Sequence, residues 1–334
     1  MPVNLSSRGF VTLLDFSRDE IRALLDMSSR LKERRREGRA GGLLAGKNIL
    51  LLFEKTSSRT RCSFELGAAE EGAHVTYIGP GVSQFGKKES AEDSARLFGR
   101  FYDAIGYRGF GTSDTVRDIA NYAKLPVWNG LTDDDHPTQI LADLLTIEEH
   151  ARKPLKDVKV VFCGDTRNNM AYAWIYGCAK MGMRFVAYGP RELAPDPAVL
   201  ERAFAKAEPG ADISFSDDDV CLADADVIYT DIWASMGEED KIAERAKLLA
   251  PYKVTRELLA KTGNDNVLFM HCLPAFHDFE TAVAAEYREM GVDIREVDDE
   301  VFNGRHSIVF DEAENRLHTI KAVMVATLAA EKRL

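Results

Sequence analysis

No run in this 334-residue chain approaches the roughly 18 consecutive apolar residues of a membrane-crossing helix. Met1-Pro2-Val3-Asn4-Leu5 has neither the basic start nor the apolar stretch of a secretory signal, so a cytoplasmic protein without a membrane partner is expected. Cysteine is scarce: the five at 62, 163, 178, 221 and 272 are odd in number and lack metal-ligand spacing, which argues against a disulfide scaffold and a metal site and leaves them as thiols. Basic residues are outnumbered, 43 Lys and Arg against 54 Asp and Glu, and the net charge of −11, with no basic and aromatic stripe to offset it, would repel nucleic acid. The glycine spacings of a Walker loop and of a GxGxxG fingerprint are also absent, so no nucleotide cofactor is expected.

What is present suffices for a large core. The length, with 45% apolar residues, suits two α/β domains of ordinary size. The apolar run Asn48 to Phe53 reads as a buried strand, and Cys62 to Ala69 has helical spacing. Between them Ser57-Ser58-Arg59-Thr60-Arg61 lies at a strand-to-helix turn. Helix N-terminal amides, three hydroxyls and the guanidinium forks of Arg59 and Arg61 make that turn a place for an anion held mainly by side chains. A polar turn of this kind is also how an ordinary helix is capped.

Residues 18 to 35 read as a helix. Strand and helix candidates then alternate: Val75 to Ile78, Ser90 to Phe101, Ala104 to Tyr107, Val116 to Ala120, Val127-Trp128, an order that predicts a parallel sheet covered by helices. The stretch from Gly81 to Ser90, which includes Gln84, reads as a mobile loop able to cover a ligand or as a surface excursion. Arg108 ends a strand on the rim where ligands of open α/β sheets collect. Pro137 marks a helix start, and His136 and Gln139 would share one face of its first turn.

A second cycle begins near residue 150. Val158 to Cys163, Arg184 to Tyr188, Ile213 to Phe215, Val227 to Thr230 and Val267 to Met270 are strand candidates, residues 197 to 207 a helix, Gly164 to Met170 a rim turn, and the helix after it runs through Met181. We expect a first domain over residues 1–150, a second over 151–317, and a C-terminal helix of about 318–334 returning to the first. The two sheets would be open and parallel, joined by interdomain helices, with a cleft between them. One wall would offer Ser57, Ser58, Arg59, Thr60, Arg108, His136 and Gln139 to a phosphate and a neighbouring carbonyl. The other would offer Asn169, Asp231, Ser235 and Met236 to an amino acid, which suggests transfer from a phosphorylated donor to an amine.

The segments Ser57 to Arg61, His136-Pro137-Thr138-Gln139, Asp231 with Ser235-Met236-Gly237, and His271-Cys272-Leu273-Pro274 resemble those of the aspartate/ornithine carbamoyltransferase family. The resemblance covers essentially the whole chain. Its Ser-Met-Gly and His-Cys-Leu-Pro elements are similar to the ornithine branch, which implies carbamoyl transfer from carbamoyl phosphate to the side-chain amine of L-ornithine, giving L-citrulline and phosphate. It implies that Ser57, Ser58, Arg59, Thr60 and Arg108 hold the phosphate, with Gln84 supplied across a subunit boundary; that His136, Gln139 and Arg316 address the carbonyl; that Asn169, Asp231, Ser235 and Met236 hold ornithine; and that Cys272 and Leu273 lie beside carbonyl and amine. The catalytic set would be Arg59, Arg108, His136, Asp231, Cys272 and Arg316, with no cofactor, no metal and no covalent intermediate on Cys272.

A homotrimer or a larger assembly of trimers is implied, as is a place in arginine metabolism, arginine biosynthesis included, without a direction. The chain departs from the pattern at Ala171-Tyr172-Ala173-Trp174, where the family has small polar residues; the aromatics either repack the core or reshape the amino-acid side. Putrescine, lysine or an N-acylated ornithine are the alternative acceptors, and a non-catalytic scaffold is the reading from another class.

Overall fold

The computed structural model describes residues 3–39, 41–82, 85, 88–234 and 241–329. Gln84, Ser235, Met236 and Gly237 therefore lie outside the described residues, as does part of the Gly81 to Ser90 stretch. Among those described, every strand pairing within the two sheets is parallel, so the chain must cross back over a sheet face between neighbouring strands, and helices make most of those crossings.

The chain divides into one unit of Met1–Leu145 with Glu314–Leu334 and another of Thr146–Ala313. The first contains helix α1 (Arg18–Arg36), strand β1 (Asn48–Phe53), α2 (Ser58–Glu70), β2 (His74–Ile78), α3 (Ala91–Phe101), β3 (Ala104–Arg108), α4 (Ser113–Ala123), β4 (Val127–Leu131) and the start of α5 (Pro137–His150). Its strands lie in the order β2-β1-β3-β4. Leu50, Leu51 and Leu52 are fully buried, as both faces of a helix-covered parallel sheet require, and each such side chain stabilises the fold by roughly 1.5–3 kcal/mol.

The second unit contains β5 (Lys159–Cys163), α6 (Asn169–Met181), β6 (Arg184–Tyr188), α7 (Pro197–Phe204), β7 (Asp212–Ser216), β8 (Val227–Thr230), α8 (Ile242–Leu249), α9 (Arg256–Ala260), β9 (Leu268–His271), α10 (Ala282–Glu289), α11 (Asp299–Phe302) and the first turn of α12 (Val309–Leu328). Its order is β7-β6-β5-β8-β9, reversing at β5 in the manner of doubly wound sheets. Both passages of the chain between units fall inside helices, at residues 145/146 in α5 and 313/314 in α12.

Several expectations shift in detail. The helix expected from Cys62 begins at Ser58, so the Ser58 to Thr60 turn is the first helical turn itself, with Ser57 as its cap. Strand β3 extends to Arg108, and α7 ends at Phe204 because Ala205 to Ala207 turn away. Helices α8 to α11 were not anticipated, because at 8, 5, 8 and 4 residues they are too short for a periodic pattern to stand out. Trp174 is fully buried with its ring edge-on to Tyr229 at 5.4 Å, so it repacks the core, while half-buried Tyr172 accepts the Asp196 N–H at 3.4 Å. Among the described residues no helix is long and apolar enough to cross a membrane.

Candidate active site

In the first unit the sheet register brings the phosphate candidates together. Phe53, the last residue of β1, pairs with Arg108, the last of β3, so the turn leaving β1 starts beside the Arg108 side chain. These are the adjacent strands at which the order reverses, the place where a ligand meets helix N-termini. The Ser57 hydroxyl accepts the Thr60 N–H at 3.2 Å and caps α2. Gly130 of β4 lets this turn approach closely, because a Cβ would stand a tight 3.2 Å from Thr60 Cγ2 and 3.1 Å from the Tyr107 carbonyl.

Arg316 joins this set from a helix far along the chain. Its guanidinium donates to Thr60 Oγ1 at 3.0 Å and to Gln139 Oε1, and Gln139 in turn donates to Asp143 at 2.8 Å. Arg108 donates to the Gly130 carbonyl at 3.2 Å and is 6% exposed. His136 lies buried before Pro137, and its carbonyl accepts the Gln139 and Ile140 amides that open α5. Burial, and then the charges of Arg316, Arg108 and Arg59, hold its imidazole well below the usual histidine range. The ring is therefore neutral near pH 7, able to donate or accept one hydrogen bond without adding charge.

The loop that delivers His136 is pinned by the aspartates before it. Asp133 accepts the Gly111 N–H at 2.8 Å, and Asp134 accepts the Ser113 N–H at 2.8 Å and the Thr132 hydroxyl at 2.7 Å. Burial pushes the Asp135 carboxyl up to about 8.

Arg61 is a correction to the anion-binding reading. Its guanidinium pairs with Glu65 at 2.9 Å, one turn on, and stacks over the Tyr77 ring at 3.8 Å. An arginine already matched to a carboxylate and an aromatic face is not offered to a ligand.

In the second unit Asp231 and Cys272 meet at the ends of β8 and β9. Asp231 follows β8; its carboxylate accepts the Ile232 N–H at 2.8 Å, the Cys272 thiol at 3.2 Å and the side-chain amide of Asn168 at 3.2 Å. Burial, the dominant cause, raises the Asp231 carboxyl above its usual range. Asn168, beside the expected Asn169, is a member of this cluster that the sequence reading did not name. It caps α6 by accepting the Ala171 N–H at 2.8 Å, a role that its place before a helix could have signalled. Asn169 is the first residue of that helix and is half-buried.

Leu273 has a positive φ of 59°, a strained backbone for a side-chain-bearing residue. Its N–H donates to His271 Nδ1 at 2.8 Å, and His271 Nε2 meets Glu296 Oε1 at 3.0 Å, with both side chains fully buried. Since Nδ1 must accept, a neutral ring carries its proton on Nε2 and donates it to Glu296. Burial pushes the Glu296 carboxyl up to about 8. Asp231, His271 and Cys272 come close enough to form a ligand set for a cation, but both His271 nitrogens are already engaged. Glu296 carried no sequence signal, because its partners His271 and Phe276 lie 25 and 20 residues away.

Residues 8–149 match the carbamoyl-P binding domain of aspartate/ornithine carbamoyltransferase, and residues 156–327 match its Asp/Orn binding domain. The catabolic ornithine carbamoyltransferase of Clostridium perfringens is 62% identical over 332 residues, 98% of this chain and 99% of the relative. Ornithine carbamoyltransferase 1, catabolic, of Streptococcus agalactiae is 52% identical over 329 residues, covering 97% and 99%. Among solved structures, the ornithine carbamoyltransferase of Pyrococcus furiosus superposes with a TM-score of 0.87 at 37% identity, covering 98% of each chain. With both domains matched, and with relatives this similar over nearly its full length, the chain belongs to the aspartate/ornithine carbamoyltransferase family.

Proposed function

We propose that this protein transfers the carbamoyl group between carbamoyl phosphate and the side-chain amine of L-ornithine, interconverting that pair with L-citrulline and phosphate. The observation that carries the reading is that Arg316 donates to Thr60 Oγ1 and to Gln139 Oε1 in the unit that also buries Arg108 and His136. Such a set suits a small, highly charged anion with a carbonyl attached. In this reading the first unit, with residues 314–334, binds carbamoyl phosphate and the second binds ornithine.

Ser57, Ser58, Arg59, Thr60 and Arg108 hold the phosphate, with Gln84 supplied by another subunit. His136, Gln139 and Arg316 act on the carbonyl oxygen, while Cys272 and Leu273 flank the carbonyl. Asn169, Asp231, Ser235 and Met236 hold ornithine. The amine nitrogen attacks the carbonyl carbon, a C–N bond forms, and the bond from that carbon to the phosphate oxygen breaks. The nitrogen loses one proton to the departing phosphate, so no side chain need store it. Negative charge grows on the carbonyl oxygen and on the leaving group, so cationic and hydrogen-bonding groups fixed there favour the transition state over the bound ester.

The amine must arrive uncharged, although a free alkylamine has a pKa of about 10. Asp231, fixed by the Ile232 N–H, the Cys272 thiol and the Asn168 amide, orients the nitrogen. The Cys272 thiol, donating to Asp231, serves as a hydrogen-bonding group rather than a nucleophile. We read the working direction as citrulline breakdown, narrowing the wider expectation that included arginine biosynthesis, because the two relatives above carry the description catabolic. A cytoplasmic homotrimer, or an assembly of trimers, fits the exposed apolar side chains of Leu66 and Phe101 on the first unit.

The test is incubation with carbamoyl phosphate and a panel of amines, reading phosphate release and the ureido product. Citrulline from ornithine is the expected result. Release with putrescine, lysine or an N-acylated ornithine in its place would overturn the acceptor, and silence with every amine would favour a scaffold. Sigmoidal dependence on carbamoyl phosphate would support the catabolic direction, and sedimentation would check the trimer.

A further inference from the structure

Glu312 lies in the first turn of α12 and is fully buried. Its carboxylate joins two strands of the second unit: Oε2 accepts the His271 N–H at 2.9 Å, and Oε1 accepts the Tyr229 hydroxyl at 3.1 Å. Each bond reaches a strand just before its chemically active end. Tyr229 stands two residues before Asp231, and His271 immediately precedes Cys272.

The Tyr229 hydroxyl has little freedom to look elsewhere. Its ring is fully buried, stacked on Phe162 at 5.9 Å and met edge-on by Trp174 at 5.4 Å. His271 is held equally firmly, its two ring nitrogens engaged by Leu273 and Glu296 and its backbone N–H by Glu312. The Cys272 thiol, at the next residue, reaches Asp231 at 3.2 Å, a geometry that depends on the relative height of the ends of β8 and β9.

We propose that Glu312 is a positioning residue for the acceptor half of the reaction: by clamping Tyr229 and the His271 backbone together, it sets the alignment of Cys272 with Asp231. The inference rests on the carbamoyl-transfer reading above. Glu312 touches no reacting atom, so its effect passes through the two strand ends. Removal of the carboxylate leaves a buried N–H and a buried hydroxyl without this acceptor, and the strand ends then shift to satisfy them. A shift of that kind misplaces Asp231 and Cys272 while leaving the phosphate-holding candidates Ser57, Ser58, Arg59, Thr60 and Arg108, which belong to the other unit, untouched.

The experiment is steady-state kinetics on the full chain, with both substrates varied, for Glu312→Ala, Glu312→Asp and Glu312→Gln beside wild type. In E312Q the span is kept and the amide oxygen can still accept the His271 N–H, while the Tyr229 hydroxyl loses its acceptor, so this variant should be damaged less than E312D, with the ornithine KM or kcat changed by about threefold and the carbamoyl phosphate KM within about twofold. E312A and E312D should raise the ornithine KM or lower kcat by about tenfold, with the carbamoyl phosphate KM within about twofold of wild type. E312D keeps the carboxyl group but is one carbon too short to span both donors, and it decides the matter if E312A fails to fold. An unchanged ornithine KM and kcat in E312D, equal damage in E312Q and E312D, or an equal rise in both KM values would overturn the proposal. A wild-type protein that makes no citrulline would overturn the activity reading, and this inference with it.

Discussion

The two units carry opposite electrostatic designs at the ends of similar parallel sheets. In the first, guanidinium charges from Arg59, Arg108 and Arg316 act on an imidazole kept neutral. In the second, a carboxyl, a thiol and an imidazole cluster at Asp231, Cys272 and His271, and burial raises the acids Asp231 and Glu296. The contrast follows from what each half must accomplish. A phosphorylated donor brings negative charge that grows during reaction, so fixed cations serve it. An amine acceptor must shed positive charge before it can attack, so its neighbours must orient without holding a proton on it.

The sharpest way to break this comparison is Arg59→Ala. Loss of one preorganised cation at the growing charge should lower kcat roughly 10²–10³-fold, with the ornithine KM little changed and the thermal melt intact. Survival of both rate and donor affinity would remove Arg59 from the phosphate site. Asp231→Asn should act on the other side: losing a hydrogen bond to a charged group costs about 1.5–3 kcal/mol, or roughly 10–100-fold in kcat/KM for ornithine. A loss confined to carbamoyl phosphate affinity would invert the assignment of the units.

Stability against pH gives a smaller, bulk readout. Asp135 in the first unit and Glu296 in the second are both pushed up to about 8, so the folded protein binds protons that the unfolded chain has released. Their contribution is full below the ordinary carboxylate range, near pH 4, and declines as pH rises toward about 8, with a slope of at most roughly 1.4 kcal/mol per pH unit for each group. Glu296→Gln should flatten that decline, as measured by chemical denaturation between pH 5 and 8; an unaltered slope would mean that Glu296 is ionised in the fold. The smallest effect is expected of Arg61→Ala, within about twofold in kcat, because its guanidinium is committed to Glu65 and Tyr77.

Much of this design could be read in the chain before folding, and the limits have physical causes. The turn after β1 was legible because an apolar run stops abruptly in hydroxyls and guanidiniums. Parallel sheets were legible because short apolar runs alternate with helical spacing. Arg61 misled because a side chain's direction is set by partners such as the Tyr77 ring, which belongs to another strand. Asn168 and Asn169 look alike in sequence, and only the direction of the cap separates them. Glu296 and Glu312 were invisible as site-shaping groups, since an isolated acid in a polar stretch ordinarily faces solvent. Their burial follows from donors supplied by β8, β9 and the Phe276 amide.

The hydrogen bond between Arg316 and Thr60 closes a loop of 256 residues. On the ribosome, where chains emerge N-terminus first at about 5–20 residues per second, Thr60 leaves the tunnel roughly 13–50 seconds ahead of its partner. The sheet of the first unit can pair meanwhile, but its guanidinium set lacks a member until nearly the whole chain has been made. The second unit, though contiguous, waits almost as long, because the Glu312 that joins its strand ends comes just before Arg316 in the chain. A nascent or prematurely terminated chain therefore exposes a half-built anion site with no turnover, and catalysis begins only once synthesis is almost finished.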